Sequence, residues 1–156
     1  MRKKITLSFV LVLSLMVSKI SAQCTTGTQY PIGIYQATGA AGTGVINTDA
    51  RTGQYTYVHI QPLRYYTFTS SVATDYLTIT NDTGTQVIAS GLTPLSYVSV
   101  YDQAVRFYIH QNAQCQTTDQ FVRNRKVTWV TAQDCQVPTP TTVTNISPVS
   151  CNLDFT

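Results

Sequence analysis

Residues 54–80, QYTYVHIQPLRYYTFTSSVATDYLTIT, constrain the chain more than any other stretch. Tyr55, Tyr57 and His59 alternate with Thr56, Val58 and Ile60, Tyr66 and Phe68 with Tyr65, Thr67 and Thr69, and Leu77 and Ile79 with Tyr76, Thr78 and Thr80. Side chains that alternate with period two, drawn from β-branched and aromatic types, define half-buried strands. Pro62 and residues 70–74 supply two turns, and nothing here has the 3.6-residue period of a helix. The stretch reads as three strands of a sandwich core, with no catalytic apparatus.

The pattern continues. Asn81-Asp82-Thr83-Gly84 makes a hairpin loop with glycine at the positive-φ position. Val87-Ile88 opens the next strand, which Gly91 and Pro94 close. Residues 95–101 and 104–110 read as a further strand pair, with Val105, Phe107 and Ile109 apolar and Arg106, Tyr108 and His110 opposite. Residues 111–120 form a polar loop, and residues 121–131 a last strand carrying Trp129. Upstream, Pro31 and five glycines between Gly27 and Gly44 cut residues 24–53 into short edge pieces and loops. Gly39–Gly44 lacks the Lys-Ser/Thr and the following helix of a phosphate-cradling loop. Eight or nine short strands so spaced predict an all-β, antiparallel, jelly-roll-like sandwich over residues 23–136.

Address comes from the N-terminus. Arg2, Lys3 and Lys4 precede an apolar run over residues 5–17 that ends near Ser21 and Ala22, which reads as a secretory signal peptide over residues 1–22. The run is shorter than the ~20 residues that cross a bilayer, so no membrane span is expected after cleavage. Without the leader, six basic residues face seven aspartates, a net charge of −1, and the chain has no glutamate. Nucleic acid is thereby disfavoured, since phosphate binders cluster cations on one face. Only Arg123, Arg125 and Lys126 cluster, and they read as a solvated edge that discourages strand addition.

Secretion permits disulfides. Of Cys24, Cys115, Cys135 and Cys151, the preferred bridge is Cys115–Cys135, a loop of roughly 20 residues worth ~3 kcal/mol. Cys24 and Cys151 are then unpaired or joined to each other, and all three connectivities stay open. No cysteine pair has zinc-ligand spacing, and no cofactor is called for.

Candidate sites divide into weak and less weak. No G-x-S-x-G elbow accompanies His59 or His110, and His110 reads as a solvated surface residue. Asp82, Asp102 and Asp119 read as turn residues, and Asp75 starts a strand. Asn81 with Asp82 could donate to calcium, without a spaced acidic motif. The better lead is a face bearing Tyr55, Tyr57, His59, Arg106, Tyr108 and His110. Aromatic rings beside hydrogen-bonding groups can stack on sugars at low entropic cost.

Two resemblances bear on domain organisation. Residues 137–142 are a Pro/Thr linker. The following Val143, Ile146, Ser150, Leu153 and Phe155 resemble the start of a fibronectin type III domain, so residues 143–156 read as its incomplete opening in a longer protein. CTTGTQYP, Gly53-Gln54-Tyr55, YTFTSSVATDYLTITNDTGTQVIASG and VRFYIHQNAQC resemble an N-terminal module of secreted Bacteroidetes-type proteins exported by type-nine secretion. Residues 66–91 are also similar to the pre-peptidase C-terminal domain, a non-catalytic sandwich on secreted hydrolases. The resemblance brings no catalytic signature, so no enzyme is expected within the chain; the extracellular address, the tyrosine face and the fibronectin-like unit together point to a secreted or cell-surface adhesion or glycan-binding module. This leaves an accessory domain of a secreted hydrolase and a structural spacer as alternatives.

Overall fold

The computed structural model describes residues 23–131. The expected leader, the linker at 137–142, the fibronectin-like opening at 143–156, Cys135 and Cys151 lie outside them. Among the described residues are nine strands and no helix. These are β1 (Thr28–Gln36), β2 (Gly42–Ala50), β3 (Gln54–Ile60), β4 (Arg64–Ser70), β5 (Tyr76–Asn81), β6 (Val87–Leu92), β7 (Leu95–Ser99), β8 (Gln103–His110) and β9 (Arg123–Thr131).

They form two sheets, ordered β1-β3-β8-β5-β6 and β2-β9-β4-β7. Without β1, the eight remaining strands in chain order place first, eighth, third and sixth in one sheet, and second, seventh, fourth and fifth in the other. That is the double Greek key of a jelly roll, as expected. Strand β1 adds a ninth member, parallel to β3 and broken by a register shift between Gln29 and Ile34. All other pairings are antiparallel.

The three strands of the organising stretch do not pair with one another. Strands β3 and β5 belong to the five-stranded sheet and β4 to the four-stranded one, so each turn between them crosses the sandwich. Residues 95–101 and 104–110 likewise form no pair. Strand β7 pairs with β4, while β8 lies between β3 and β5. Alternation says which side of a strand is apolar and nothing about which sheet it joins.

The core is the space between the inner faces. Val58, Ile60, Leu77, Ile79, Val105, Phe107 and Ile109 meet Tyr66, Phe68, Val127 and Trp129. Phe68 and Phe107 bridge the sheets edge to face, ring centroids 5.0 Å apart. Two polar handles in this core are satisfied: Tyr66 Oη donates to Ala37 O and accepts from Gln61 N, and Trp129 Nε1 donates to Ala40 O.

The reading of Arg123, Arg125 and Lys126 as one solvated edge fails for the two arginines. They share the inward phase of Val127 and Trp129, and are 1% and 0% exposed, whereas Lys126 faces out. Arg123 stays charged inside because Asp75 and Asp119 both bind it: Nε donates to Asp75 Oδ2 at 2.7 Å, Nη1 to Asp119 Oδ1 at 2.8 Å, and Nη2 to both carboxylates. Burial alone would lower the Arg123 pKa, but these hydrogen bonds hold it well above the usual value. Asp119 is depressed, first by its hydrogen bond with Arg123. Neither Asp75 nor Asp119 is a plain turn residue.

The bridge joins Cys115 to Cys24 rather than to Cys135. It ties the N-terminal segment to the loop after β8 across 91 residues, worth ~4–5 kcal/mol in the chain-entropy account. The spacing of four cysteines could not reveal this, because the two partners meet only after the sandwich has closed.

Candidate functional site

The outer face of the five-stranded sheet carries the aromatic cluster. Register sets Tyr55 opposite Tyr108, Tyr57 opposite Arg106 and His59 opposite Ala104, while β1 adds Gln29, Ile34 and Gln36 beside the three β3 residues. The period-two reading of β3 and β8 is therefore correct for which residues share this face.

Arg106 is the hub. Its Nε donates to the Asp82 carbonyl at 2.7 Å and to Tyr57 Oη at 3.1 Å, and Nη1 reaches Tyr108 Oη at 3.3 Å. The guanidinium carbon sits 4.9 Å from the Tyr55 ring centroid and 5.5 Å from that of Tyr57. Burial works to lower its pKa, but the Tyr108 and Tyr57 hydrogen bonds carry it above the ordinary value. Desolvation in the same cluster raises the Tyr55 pKa. Tyr57 Oη also donates to Asp82 O at 3.1 Å, so its ring is fixed at the hydroxyl end. The Asn81–Gly84 turn makes this possible by folding over the sheet. Gly84 has φ +78°, and a Cβ there would stand 2.6 Å from Arg106 Nη1. The turn needs glycine for both reasons.

Two expected face residues are covered. Tyr108 is 1% exposed and His110 fully buried, so His110 is no surface histidine. The N-terminal segment, held by the disulfide, lies over them: Thr26 O is 3.1 Å from His110 Nε2, and Gly27 packs against Tyr108 and the Gly53 carbonyl. Burial lowers the His110 pKa, with the Thr26 carbonyl partly opposing. Alternation aimed these side chains correctly; the covering segment was not legible.

What stays accessible is Tyr55, Tyr57, His59 and part of Arg106. The Tyr55 and Tyr57 rings stand at 90° to each other, so they form a corner rather than a flat strip. Beside it lies an open groove of about 360 Å³, lined by Gln29, Gly33, Ile34, Tyr57, Asp82 and Ala104. That volume is within the range of small-ligand sites. Its apolar walls are Ile34, Tyr57 and Ala104, and its polar rim is Gln29 and Asp82. Gln29, Ile34 and Ala104 were not anticipated. Ala104 carried a signal, because a small residue in phase with Arg106 and Tyr108 marks a depression.

At one end of the face, His59 Nε2 lies 2.7 Å from Asp102 Oδ1, and Nδ1 lies 3.1 Å from Gln36 Oε1. This is an imidazole–carboxylate pair whose second nitrogen faces an amide rather than a hydroxyl or thiol. The Asn81–Asp82 turn is otherwise engaged. Asn81 Oδ1 accepts from Thr85 N and Gln86 N, and the Asp82 carbonyl faces a guanidinium, a poor setting for calcium. Among the described residues, no group of three or more His, Cys, Asp or Glu side chains is placed to hold a metal, and no helix is long and apolar enough to cross a membrane. Comparison with known proteins yields no relative: no family model, no curated protein and no solved structure matches the chain.

Proposed function

We propose that the chain is a non-catalytic extracellular binding module whose outer five-stranded face holds a glycan. The observation that carries this reading is the Tyr57 corner. A half-exposed ring, fixed through its hydroxyl, borders an open groove whose apolar walls meet Gln29 and Asp82, with the Arg106 guanidinium bonded to Tyr57 on the same face. A sugar ring offers an apolar face for Tyr57 and Ile34, and hydroxyls for Gln29, Asp82 and Arg106. Preorganised aromatic side chains bind with little loss of rotamer freedom. The signal-like leader and the Cys24–Cys115 bridge support an oxidising, extracellular setting for this role.

The test is retention on a panel of insoluble polysaccharides and a soluble glycan array. Wild-type protein is retained on at least one glycan, and Tyr57→Ala weakens that retention by roughly tenfold or more, about 1.4 kcal/mol. Circular dichroism confirms that the variant folds. Equal retention of the two proteins, or none on any glycan, sinks the reading.

A further inference from the structure

A second, larger cleft opens at the β6–β7 edge of the sandwich, and Asp82 lines both it and the groove beside Tyr57. Strands β6 and β7 end their respective sheets, and between them opens a space of about 450 Å³. Ile60, Val87 and Tyr97 form its apolar part, and Ser99, Gln86 and Gln103 part of its polar rim. Tyr97 points inward, stacked with Tyr66 and Phe68, yet its buried hydroxyl has no hydrogen-bond partner in the protein. A buried unsatisfied hydroxyl costs ~1–3 kcal/mol and calls for an explanation. Thr78 Oγ1, His110 Nδ1 and Arg125 Nη1 are also unpartnered, but the Tyr97 hydroxyl belongs to a residue that lines a cleft.

Of the two strands beside it, β7 is the unguarded one, because the β5–β6 pairing carries a register shift. Edge strands are normally blunted by charge, proline or bulges. On the far side of the sandwich that rule is obeyed: β1 contains Pro31 and a register break, and β2 has two register shifts and Asp49. Strands β6 (VIASGL) and β7 (LSYVS) contain no charged residue and no proline. Val98 on β7 is 43% exposed, and Val100 and Tyr101 just beyond its end are 62% and 64% exposed. The cleft's lining includes one acid, Asp82, and no lysine, arginine or histidine. A free β edge presents backbone donors and acceptors at the repeat of another strand, which a peptide matches and a pyranose does not.

We propose that the β6–β7 cleft binds an extended, uncharged polypeptide strand that pairs with the free edge of β7 and inserts a hydroxyl- or amide-bearing side chain against the Tyr97 hydroxyl. The cleft meets the glycan face at Asp82, which lines both, while Tyr97 and the β7 edge lie outside that face.

The probe is a fluorescein-labelled octapeptide of alternating threonine and valine with one central asparagine, titrated with the full chain and followed by anisotropy. The wild type binds it. Tyr97→Phe keeps the stacked ring, loses the hydroxyl and weakens binding roughly tenfold. Val98→Lys adds the missing edge charge and weakens binding by at least a few-fold, while both variants keep wild-type retention on glycan. Ile34→Ala, which alters only the glycan groove, leaves peptide affinity unchanged. No anisotropy change up to about 1 mM protein overturns the proposal, as does equal binding by all variants. So does competition by a polysaccharide that Tyr97→Phe abolishes, or sedimentation showing that a second copy of the chain covers the β7 edge in a Val98→Lys-sensitive dimer.

Discussion

Arg106 and Arg123 sit on neighbouring parts of one sandwich and have opposite surroundings. Arg106 lies on the outer face, half-buried, and its partners are neutral oxygens: the Tyr57 and Tyr108 hydroxyls and the Asp82 carbonyl. Arg123 lies between the sheets, 1% exposed, and its partners include two carboxylates. A guanidinium neutralised on the spot is closed, because its hydrogen bonds and its charge are both answered by the fold. One held by neutral groups keeps net positive charge at the surface, next to an open groove. Between these two clusters, charge balance and exposure change together.

The sharpest way to break this contrast is Arg123→Met. It leaves Asp75 buried with its charge unanswered, and removal of one partner from a buried pair costs ~3–5 kcal/mol. Urea denaturation should show that loss. A loss under ~1 kcal/mol would mean that the interior network contributes nothing that well-packed methylenes cannot supply. Asp119→Asn is milder, because Asp75 still holds the guanidinium; about 2 kcal/mol is expected.

That second variant also has a pH signature. The folded Asp119 pKa lies below its ordinary 3.8, so the carboxylate's contribution is complete above that value and is lost as pH falls through the lowered folded pKa. Stability measured from pH 5 downward should fall less steeply in Asp119→Asn than in wild type. Arg106→Gln should leave the slope unchanged, since Arg106 is hydrogen-bonded to no carboxylate. A parallel slope in Asp119→Asn would dissociate the acid limb from this network.

Arg106→Gln should itself cost only ~1 kcal/mol, the scale of a partly exposed cation over aromatic rings. Its larger effect belongs to glycan retention. If it unfolds the protein, the outer cluster is as structural as the inner one and the comparison collapses.

These two clusters also show how far the sequence could be read. Strands β3 to β9, the sandwich and the shared face of Tyr55, Tyr57 and His59 follow from alternation, which a half-buried strand imposes directly, whereas the glycines of residues 24–53 disguise the full length of β1 and β2. Alternation also placed Arg123 and Arg125 in phase with Val127 and Trp129. Three cations within four residues nonetheless look like a solvated edge, because charge is normally kept in water. The carboxylates that overturn this come from positions 48 residues upstream and four residues upstream, and only the crossing of the sheets brings Asp75 there. Burial of Tyr108 and His110 was hidden for a similar reason, because the segment over them is fastened by a bridge between residues 24 and 115.

Arg125 gives the finest test. It is as buried as Arg123 but lacks a carboxylate hydrogen bond: Nε donates to Asn47 Oδ1 at 2.9 Å, Nη2 to the Tyr30 carbonyl, and Nη1 has no partner in the protein. Burial pulls its pKa down to about 10, so keeping it charged at neutral pH costs on the order of 3 kcal/mol. Arg125→Met removes that cost and strands two neutral acceptors, a loss of ~1–3 kcal/mol if both stay dry. The methionine retains much of the contact with the Phe107 ring, over which the guanidinium now sits at 6.0 Å. The opposing effects nearly cancel, and a change within ~1 kcal/mol of zero is expected by urea denaturation. Two buried arginines, two residues apart on one strand, should then differ by several kcal/mol because one is hydrogen-bonded to carboxylates and the other is not. A loss for Arg125→Met as large as that for Arg123→Met would show that burial, not pairing, sets the cost of replacing an interior arginine in this fold.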